Sequence, residues 1–399
     1  MVIDLVCLTL SLIFFWSTLI VILGLIHPLK RYAQAKENLK FAVLICARNE
    51  ESVIGLPIKS VKMADYPRDK REIIVLADNC TDATAERARA AGAIVWKKTT
   101  PSRGKGDVLA WGIERLRKEG DYDVVAVFDA DNVVSHGWFH AANNALQAGE
   151  TVITGRRFAS NGRHSIIAGW YAIYWALMNE LSNRVRTTLG LSGKLTGTGF
   201  ACRMDVINQV GWQTRTLVED VEFTVQLNLA GGRVAYVPEA EYADEQPEKL
   251  HLMWRQLSRW STGGWQVVWY YFRPWVGRLF HRPSLRLFDC FLCILTGMSV
   301  AFILLTNVIA FIWRVSSATE DNFYALRFFC GVFFFVFVMG WLTATIARAL
   351  SSPRRRPHMI TVLTFPIFSL IQSMTVLWAL VHPTVRWKPI PHGTSQQKD

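Results

Sequence analysis

The stretch that decides the fold is DVVAVFDADN, residues 123–132. An apolar, β-branched run, typical of a buried strand, ends there in two carboxylates, Asp129 and Asp131. Three similar runs precede it: FAVLI (41–45), EIIVLA (72–77) and AIVW (93–96). Polar stretches of helical length lie between the runs, for example residues 81–92 and 105–119. This alternation predicts an α/β domain with a mainly parallel sheet covered by helices on both faces.

Polar clusters follow three of these runs directly: CARNEE, DNCTD and DADN. In parallel α/β sheets, ligands bind beyond the carboxyl ends of the strands, so we expect a site there. Two carboxylates this close suit Mg²⁺ or Mn²⁺, because such ions are held by one or two carboxylates plus substrate phosphates. An ordinary acidic turn is the alternative, since two aspartates one residue apart are a weak signal on their own.

Four uncharged stretches are as long as a bilayer core requires, about 17–25 residues. They are residues 5–26, 290–313, 328–346 and 359–381. Buried core helices of a soluble protein are the alternative, and four such runs disfavour it. Basic residues follow the first run and precede the fourth, in the segments 30–40 and 354–356. The positive-inside bias therefore places residues 27–290 in the cytoplasm of a membrane protein.

The formal net charge of +12 has two interpretations. Basic residues near the membrane can face anionic lipid, or they can line a pocket for an anionic substrate. The basic residues are spread along the chain and form no stripe, which argues against nucleic acid as a partner.

Seven motifs carry a family resemblance. In chain order they are ICARNEE (45–51), LADNCTD (76–82), RGKG (103–106), DADN (129–132), GTGF (197–200), VED (218–220) and QLSRW (256–260). Together they resemble the processive inverting glycosyltransferases of family 2, which include cellulose, chitin, hyaluronan and poly-N-acetylglucosamine synthases. The resemblance covers residues 41–275, and the membrane layout is most similar to the Nod-factor chitooligosaccharide synthases.

The resemblance implies a Rossmann-like GT-A catalytic domain in the cytoplasm and an α-helical transmembrane bundle. The expected parts are an anchor (1–26), the catalytic domain (27–250), an interfacial segment with QLSRW (251–289), three transmembrane helices (290–382) and a tail (383–399). Residues 166–184 are rich in aromatic side chains and predict an amphipathic helix on the cytoplasmic leaflet.

The resemblance also assigns a donor site. Side chains expected to bind the nucleotide or its diphosphate are Ala47, Glu50, Asp78, Lys105 and Asp129. Asp131 is expected to be the principal ligand of Mg²⁺ or Mn²⁺. A divalent ion and a nearby cation can offset the charge that develops on a departing diphosphate.

The remaining assignments concern the acceptor sugar. Asp220 is expected to be the general base, because a sugar hydroxyl must lose a proton when it attacks. Residues expected near the acceptor or the diphosphate are Gly197, Thr198, Gly199, Glu219, Gln256, Arg259 and Trp260. Glu222 is interpreted as part of a solvated acidic face. Among the aromatic residues of 254–275, only Trp260 is expected to contact sugar, and the others to anchor the chain at the interface.

The predicted function is transfer of a sugar from UDP-N-acetylglucosamine or UDP-glucose to a growing β-linked polysaccharide, with inversion and export. Alternatives are a transferase that adds one sugar to a lipid, which QLSRW disfavours, and a non-catalytic membrane assembly subunit. Expected partners are the UDP-sugar, a polysaccharide or glycolipid acceptor, membrane lipids and an oligomer or export partner. The expected location is the cell membrane.

Overall fold

The computed structural model describes residues 2–316, 322–352 and 355–384. The strands are β1 (Phe41–Ala47), β2 (Arg71–Asp78), β3 (Ile94–Lys98), β4 (Val124–Asp129), β5 (Val133–Val134), β6 (Val152–Ala159), β7 (Phe200–Arg203) and β8 (Val234–Asp244). The helices of the first 229 residues are α1 (Val2–Ile26), α2 (Gly55–Met63), α3 (Thr84–Ala90), α4 (Lys105–Glu119), α5 (Trp138–Gln147), α6 (Ile166–Leu177), α7 (Val185–Thr188), α8 (Met204–Val210) and α9 (Glu219–Leu229). The later helices are α10 (Leu250–His281), α11 (Leu285–Ser316), α12 (Asn322–Leu350) and α13 (Met359–Val381). A 3₁₀ turn spans Arg68–Lys70, and a π-helical segment spans Met178–Arg184.

The strands form one sheet in the order β3-β2-β1-β4-β7-β6-β8-β5. The first four are mutually parallel, β7 is antiparallel to both its neighbours, and β6 and β8 are parallel. These first four are the strands predicted from the apolar runs, so the mainly parallel α/β sheet is confirmed. Their carboxyl ends coincide: Cys46 pairs with Asp129, and Ala47 pairs with Ala77.

The apolar runs are continuous because both faces of the sheet are covered. Phe41, Val43 and Ile45 of β1 pack on one face, in a core that includes residues of α2 and α5. Ala42 and Leu44 pack on the other face, in a core that includes residues of α4 and α9. This burial fixes the register, so the strand ends hold the polar residues that follow them in place.

Four helices are long and apolar enough to cross a membrane, judged by length and composition over the described residues. These spans are Leu8–Ile26, Leu285–Ser316, Ala325–Leu350 and Met359–Val381. Each contains most or all of one uncharged run identified in the sequence. The tail expected at 383–399 lies outside the described residues, apart from its first two positions.

A buried ion pair joins the sheet domain to these helices. Asp289, fully buried near the start of α11, accepts from Arg186 Nε of α7 at 2.9 Å. The indole Nε1 of Trp16 on α1 donates to the same carboxylate at 3.0 Å. One carboxylate therefore links α1, α7 and α11, which ties the first apolar helix and the later ones to the sheet domain.

The aromatic segment 166–184 forms α6 and the π-helical segment that continues it. Its rings are largely covered by protein: Trp170, Tyr171 and Trp175 are buried. Trp170 Nε1 donates to Thr364 Oγ1 of α13 at 3.0 Å, and the Tyr171 ring lies 5.5 Å from that of Phe368. The segment thus packs between the sheet domain and α13.

Candidate active site

A single cavity of about 480 Å³ opens at the carboxyl ends of β1, β2 and β4. Its lining includes every predicted site residue except Thr198 and Gly199. The sheet places Ala47, Asp78 and Asp129 at adjacent strand ends, whereas Asp220 and the QLSRW segment come from α9 and α10. The fold therefore gathers residues that are more than 200 positions apart in the sequence.

Asp78 anchors the end of the cavity predicted to hold the nucleotide. It is 3% exposed, accepts from Ser102 Oγ at 2.7 Å and forms an ion pair with Arg48 at 2.5 Å. Glu50 also lines this end, and its backbone N–H donates to Thr84 Oγ1. Arg48 and Ser102 were missed by the site prediction, although Arg48 lies within the quoted motif ICARNEE. Only the fold reveals that the two contact Asp78.

Asp129 and Lys105 form an ion pair at the centre of the cavity. Lys105 Nζ also donates to the Gly197 carbonyl at 2.7 Å. Burial alone would lower the pKa of Lys105, but Asp129 and the neighbouring acid Glu219 outweigh it and raise that pKa. Lys105 is therefore a permanent cation beside the DADN turn.

The DADN turn is held rigidly. Asp131 is 6% exposed, and its Oδ2 accepts from the Glu245 backbone N–H at 3.0 Å. The Asp129 backbone N–H donates to Thr198 Oγ1 at 2.9 Å and to Asn132 Oδ1 at 3.1 Å. Thr198 thus supports the turn from beneath the cavity.

The glycine loop approaches Asp220, the predicted base, closely. Gly197 and Gly199 have positive φ angles of 89° and 64°, which favour glycine. A methyl group added at Gly197 would lie 3.9 Å from Asp220 Oδ2, and one at Gly199 would overlap the Tyr242 ring. Gly197 therefore borders the cavity beside Asp220, while Gly199 packs behind it.

Glu219 and Asp220 begin α9 and lie side by side at the cavity wall. Burial, together with the charge of Asp220, raises the pKa of Glu219 to about 7. Burial also raises the pKa of Asp220, against the opposing effect of its hydrogen bond from the Val221 backbone and of Lys105. A carboxylate with a raised pKa is a stronger base, which suits a residue that must take a proton from a hydroxyl.

Glu222 does not belong to a solvated face, so that interpretation is wrong. Its side chain is fully buried, and it accepts from the backbone N–H groups of Arg215 and Thr216 at 2.8 and 2.7 Å. The hydroxyl of Tyr271 on α10 donates to its other oxygen at 2.8 Å. Three directed donors satisfy both oxygens of the buried carboxylate, and they fix the loop before α9.

QLSRW forms one turn of α10 against the cavity. Arg259 Nη1 donates to the Leu217 carbonyl at 3.1 Å. The Trp260 ring lies 5.8–6.2 Å from three rings of α6, those of Tyr171, Tyr174 and Trp175. We call these four residues the aromatic cage. Tyr174 and Trp175 line the cavity, although the sequence indicated only a membrane-surface role for them.

Further cations that were not predicted line the cavity, among them Arg157 and Lys194. Arg157 pairs with Asp244 and lies 3.7 Å from the centre of the Trp175 ring. Lys194 Nζ makes no hydrogen bond or ion pair with the described residues, and its charge lowers the pKa of Asp220. No group of three or more potential metal-ligating His, Cys, Asp or Glu side chains occurs within the described residues.

Polar residues at three strand ends, the Glu219–Asp220 pair and the aromatic cage thus line one cavity. The sequence model of the family described as "Glycosyltransferase like family 2" matches residues 38–263. The chain belongs to this family, and it is a glycosyltransferase with a GT-A fold, as the motifs predicted.

Two curated relatives match the same part of the chain. A probable glycosyltransferase of Bacillus subtilis, YdaM, is 29% identical over 243 residues, which cover 58% of this chain and 57% of the relative. The poly-β-1,6-N-acetyl-D-glucosamine synthase of Staphylococcus aureus is 28% identical over 231 residues, which cover 56% of this chain and 54% of the relative. The similarity thus spans little more than half the length of these relatives.

One solved structure resembles nearly the whole chain. It is the mannosyltransferase PcManGT from Pyrobaculum calidifontis, determined with GDP-Man and Mn²⁺. The TM-score is 0.57 at 15% sequence identity, and the match covers 94% of this chain and 99% of that one. At this identity the similarity supports the fold alone.

Proposed function

We propose that the protein transfers a sugar from a UDP-sugar to the end of a growing β-linked polysaccharide, with inversion at the transferred carbon. One observation carries the proposal: a single cavity joins the DADN turn, the Glu219–Asp220 pair and the aromatic cage. A donor and an acceptor that are both bound in this cavity can therefore react with each other directly. The S. aureus relative, named a poly-β-1,6-N-acetyl-D-glucosamine synthase, favours UDP-N-acetylglucosamine as donor, with UDP-glucose as the alternative.

The donor would bind at the strand ends. Asp78 and Glu50 would hold the nucleoside, and Lys105 would face the diphosphate from beside Asp129. The residues suit a divalent ion, because Asp131 lines the cavity and Mg²⁺ or Mn²⁺ is usually completed by substrate phosphates. Such an ion, when bound, supplies positive charge that offsets the charge of the leaving diphosphate. Arg259 lies at the same wall and supplies further positive charge.

The acceptor would bind on the other side of the acids. A sugar face can stack on an aromatic ring of the cage, which leaves its hydroxyl groups directed to the cavity. Asp220 would then remove the proton from the attacking hydroxyl as the bond from the sugar to the diphosphate breaks. In a one-step displacement the hydroxyl attacks from the side opposite the leaving diphosphate, so the product is inverted at that carbon, and a single base is enough.

The aromatic cage would also allow sugars to be added repeatedly to one bound chain. Processive synthesis requires that the chain stay bound while UDP leaves and a new donor enters. The aromatic cage lies on α6 and α10, outside the strand-end site, so exchange of the donor need not disturb it. The alternative, transfer of one sugar to a lipid, would use the same donor site and differ in the acceptor and the product.

The membrane arrangement belongs to the proposal. We place the catalytic domain in the cytoplasm of a cell-membrane protein, with α1, α11 and α12 crossing. Met298 lies about 18 residues, or about 27 Å, before the last residue of α11, and Gly340 lies the same distance after the first residue of α12. Met298 packs against Val376 of α13, and Gly340 packs against Pro366 of the same helix. Measured from those two helix ends, α13 therefore contacts α11 and α12 at the same depth. These contacts favour α13 at the membrane surface, in place of the third C-terminal crossing expected from its composition.

The test is incubation of purified protein in lipid nanodiscs with a panel of radiolabelled donors: UDP-N-acetylglucosamine, UDP-glucose, UDP-glucuronic acid and GDP-mannose. We expect one UDP-sugar to be consumed and label to appear in long chains while short acceptor remains unused. A product only one sugar longer, attached to lipid, would select the alternative. Consumption of GDP-mannose alone would overturn the proposed donor.

A further inference from the structure

The cavity continues beyond the predicted site into the helices that follow QLSRW. Cys293, Met298 and Gly297 of α11 line it, and so do Gln372 and Val376 of α13. None of these residues lies within the region that matches the family, residues 38–263. The far wall of the cavity is thus built from a part of the chain to which no motif assigns a role.

The contacts of α13 fix the direction of Gln372. Phe368 lies four residues before it, and its ring is 5.9 Å from the Tyr174 ring of the aromatic cage. Val376 lies four residues after it, and its carbonyl accepts from Trp265 Nε1 of α10 at 3.0 Å. Residues four positions apart share a helix face, so Gln372 faces the cavity between the cage and α10.

The amide of Gln372 makes no hydrogen bond with any described residue, although the side chain is half-buried in an apolar helix. On the facing helix, Gln256 Oε1 is buried and likewise has no hydrogen-bond partner in the described structure. An unpaired buried polar group is unfavourable, because it has lost its hydrogen bonds to water without gaining a partner in the protein. Polar side chains that face a cavity with no partner in the protein are suited to fix the orientation of a polar ligand bound there.

We propose that Gln372 is an acceptor-binding residue, whose amide forms hydrogen bonds with the hydroxyl groups of the sugar held at the aromatic cage. The inference rests on the proposed function and extends it to α13. An amide offers both donors and an acceptor, which matches sugar hydroxyl groups that also do both. Gln256 on the opposite wall would form hydrogen bonds with the same sugar or with the next sugar of the chain. The sugar ring would then stack on the cage and form hydrogen bonds with both α10 and α13.

The test compares Gln372→Met with the wild type in nanodiscs. Methionine keeps the length and the helix propensity of the side chain but removes both polar groups. Met374→Leu is the matched control, since Met374 is 58% exposed on another face of the same helix. The measured quantities are KM for a short oligosaccharide acceptor, KM for UDP-sugar, and the ratio of sugar transfer to hydrolysis of the donor by water.

We expect Gln372→Met to raise the acceptor KM about tenfold and to lower the transfer-to-hydrolysis ratio, with the donor KM unchanged. Gln372→Asn, which keeps the amide, should be intermediate, and Met374→Leu should match the wild type. An unchanged acceptor KM in Gln372→Met would overturn the inference and leave the proposed function standing. Equal losses of transfer and donor hydrolysis would also overturn it, because they indicate a structural role. A wild-type protein that uses no UDP-sugar would overturn the proposed function and this inference with it.

Discussion

Replacement of Glu222 by leucine tests whether this buried acid organises the active-site loop. Its carboxylate accepts three hydrogen bonds, from the backbone of Arg215 and Thr216 and from the Tyr271 hydroxyl. Bonds to a charged group contribute about 1.5–3 kcal/mol each, and partly exposed donors lie at the low end. The three bonds together therefore predict a loss of about 4 kcal/mol in unfolding free energy. For a domain of this size, that corresponds to a fall of about 10 °C in the unfolding midpoint.

The assay is thermal unfolding of the detergent-solubilised protein, with sugar transfer measured at a temperature where all variants are folded. Transfer should also fall, because the loop that Glu222 holds lines the cavity and supplies the Leu217 carbonyl to Arg259. Glu222→Gln keeps one oxygen acceptor and should lose less stability. Glu114→Gln, on an exposed helix face, is the control and should unfold as the wild type does. A Glu222→Leu protein with wild-type midpoint and activity would refute this role.

Three further predictions concern the reaction, and a fourth concerns stability. Asp131→Asn should abolish transfer and weaken metal-dependent UDP binding, and full wild-type activity in excess chelator would contradict the metal role. Trp260→Ala should shorten the polymer, measured by gel electrophoresis, far more than it slows donor hydrolysis, and equal effects would exclude an acceptor role. Transfer should decline as the pH falls, because the raised pKa of Asp220 means that the base becomes protonated at a higher pH than an ordinary aspartate does, and because Glu219 becomes protonated at about pH 7. The raised pKa of Glu219 also predicts that the stability conferred by its protonated form is lost as pH rises through about 7, which is tested by measuring the unfolding midpoint as a function of pH.

The sheet could be predicted from the sequence because its first strands are buried on both faces. Continuous β-branched runs separated by helical stretches are compatible with few folds other than a parallel α/β sheet. In such a sheet, the acids that follow the strands must lie together at the edge formed by the carboxyl ends of the strands. The strand-end side of the cavity followed directly, with Asp78 and Asp129 at the ends of β2 and β4, on either side of β1.

The other side of the cavity depends on long-range packing that no local pattern reveals. Tyr174 and Trp175 belong to a helix whose composition indicates a membrane surface, yet they surround Trp260. Glu222 has the sequence context of an exposed helical acid, and its burial depends on a tyrosine 49 positions later. Gln372 could have been noticed as the amide within an uncharged apolar run, but its direction required the contacts of α13.

The central claim is that Asp220 is the base in a cavity shared by donor and acceptor. The most direct measurement is UDP-sugar binding and sugar transfer in Asp220→Asn, compared with the wild type under the same conditions. We predict donor affinity within about twofold of the wild type and transfer at least about 100-fold slower, the usual low end for loss of a general base. Transfer at a wild-type rate, or a loss of donor binding as large as the loss of transfer, would contradict the claim.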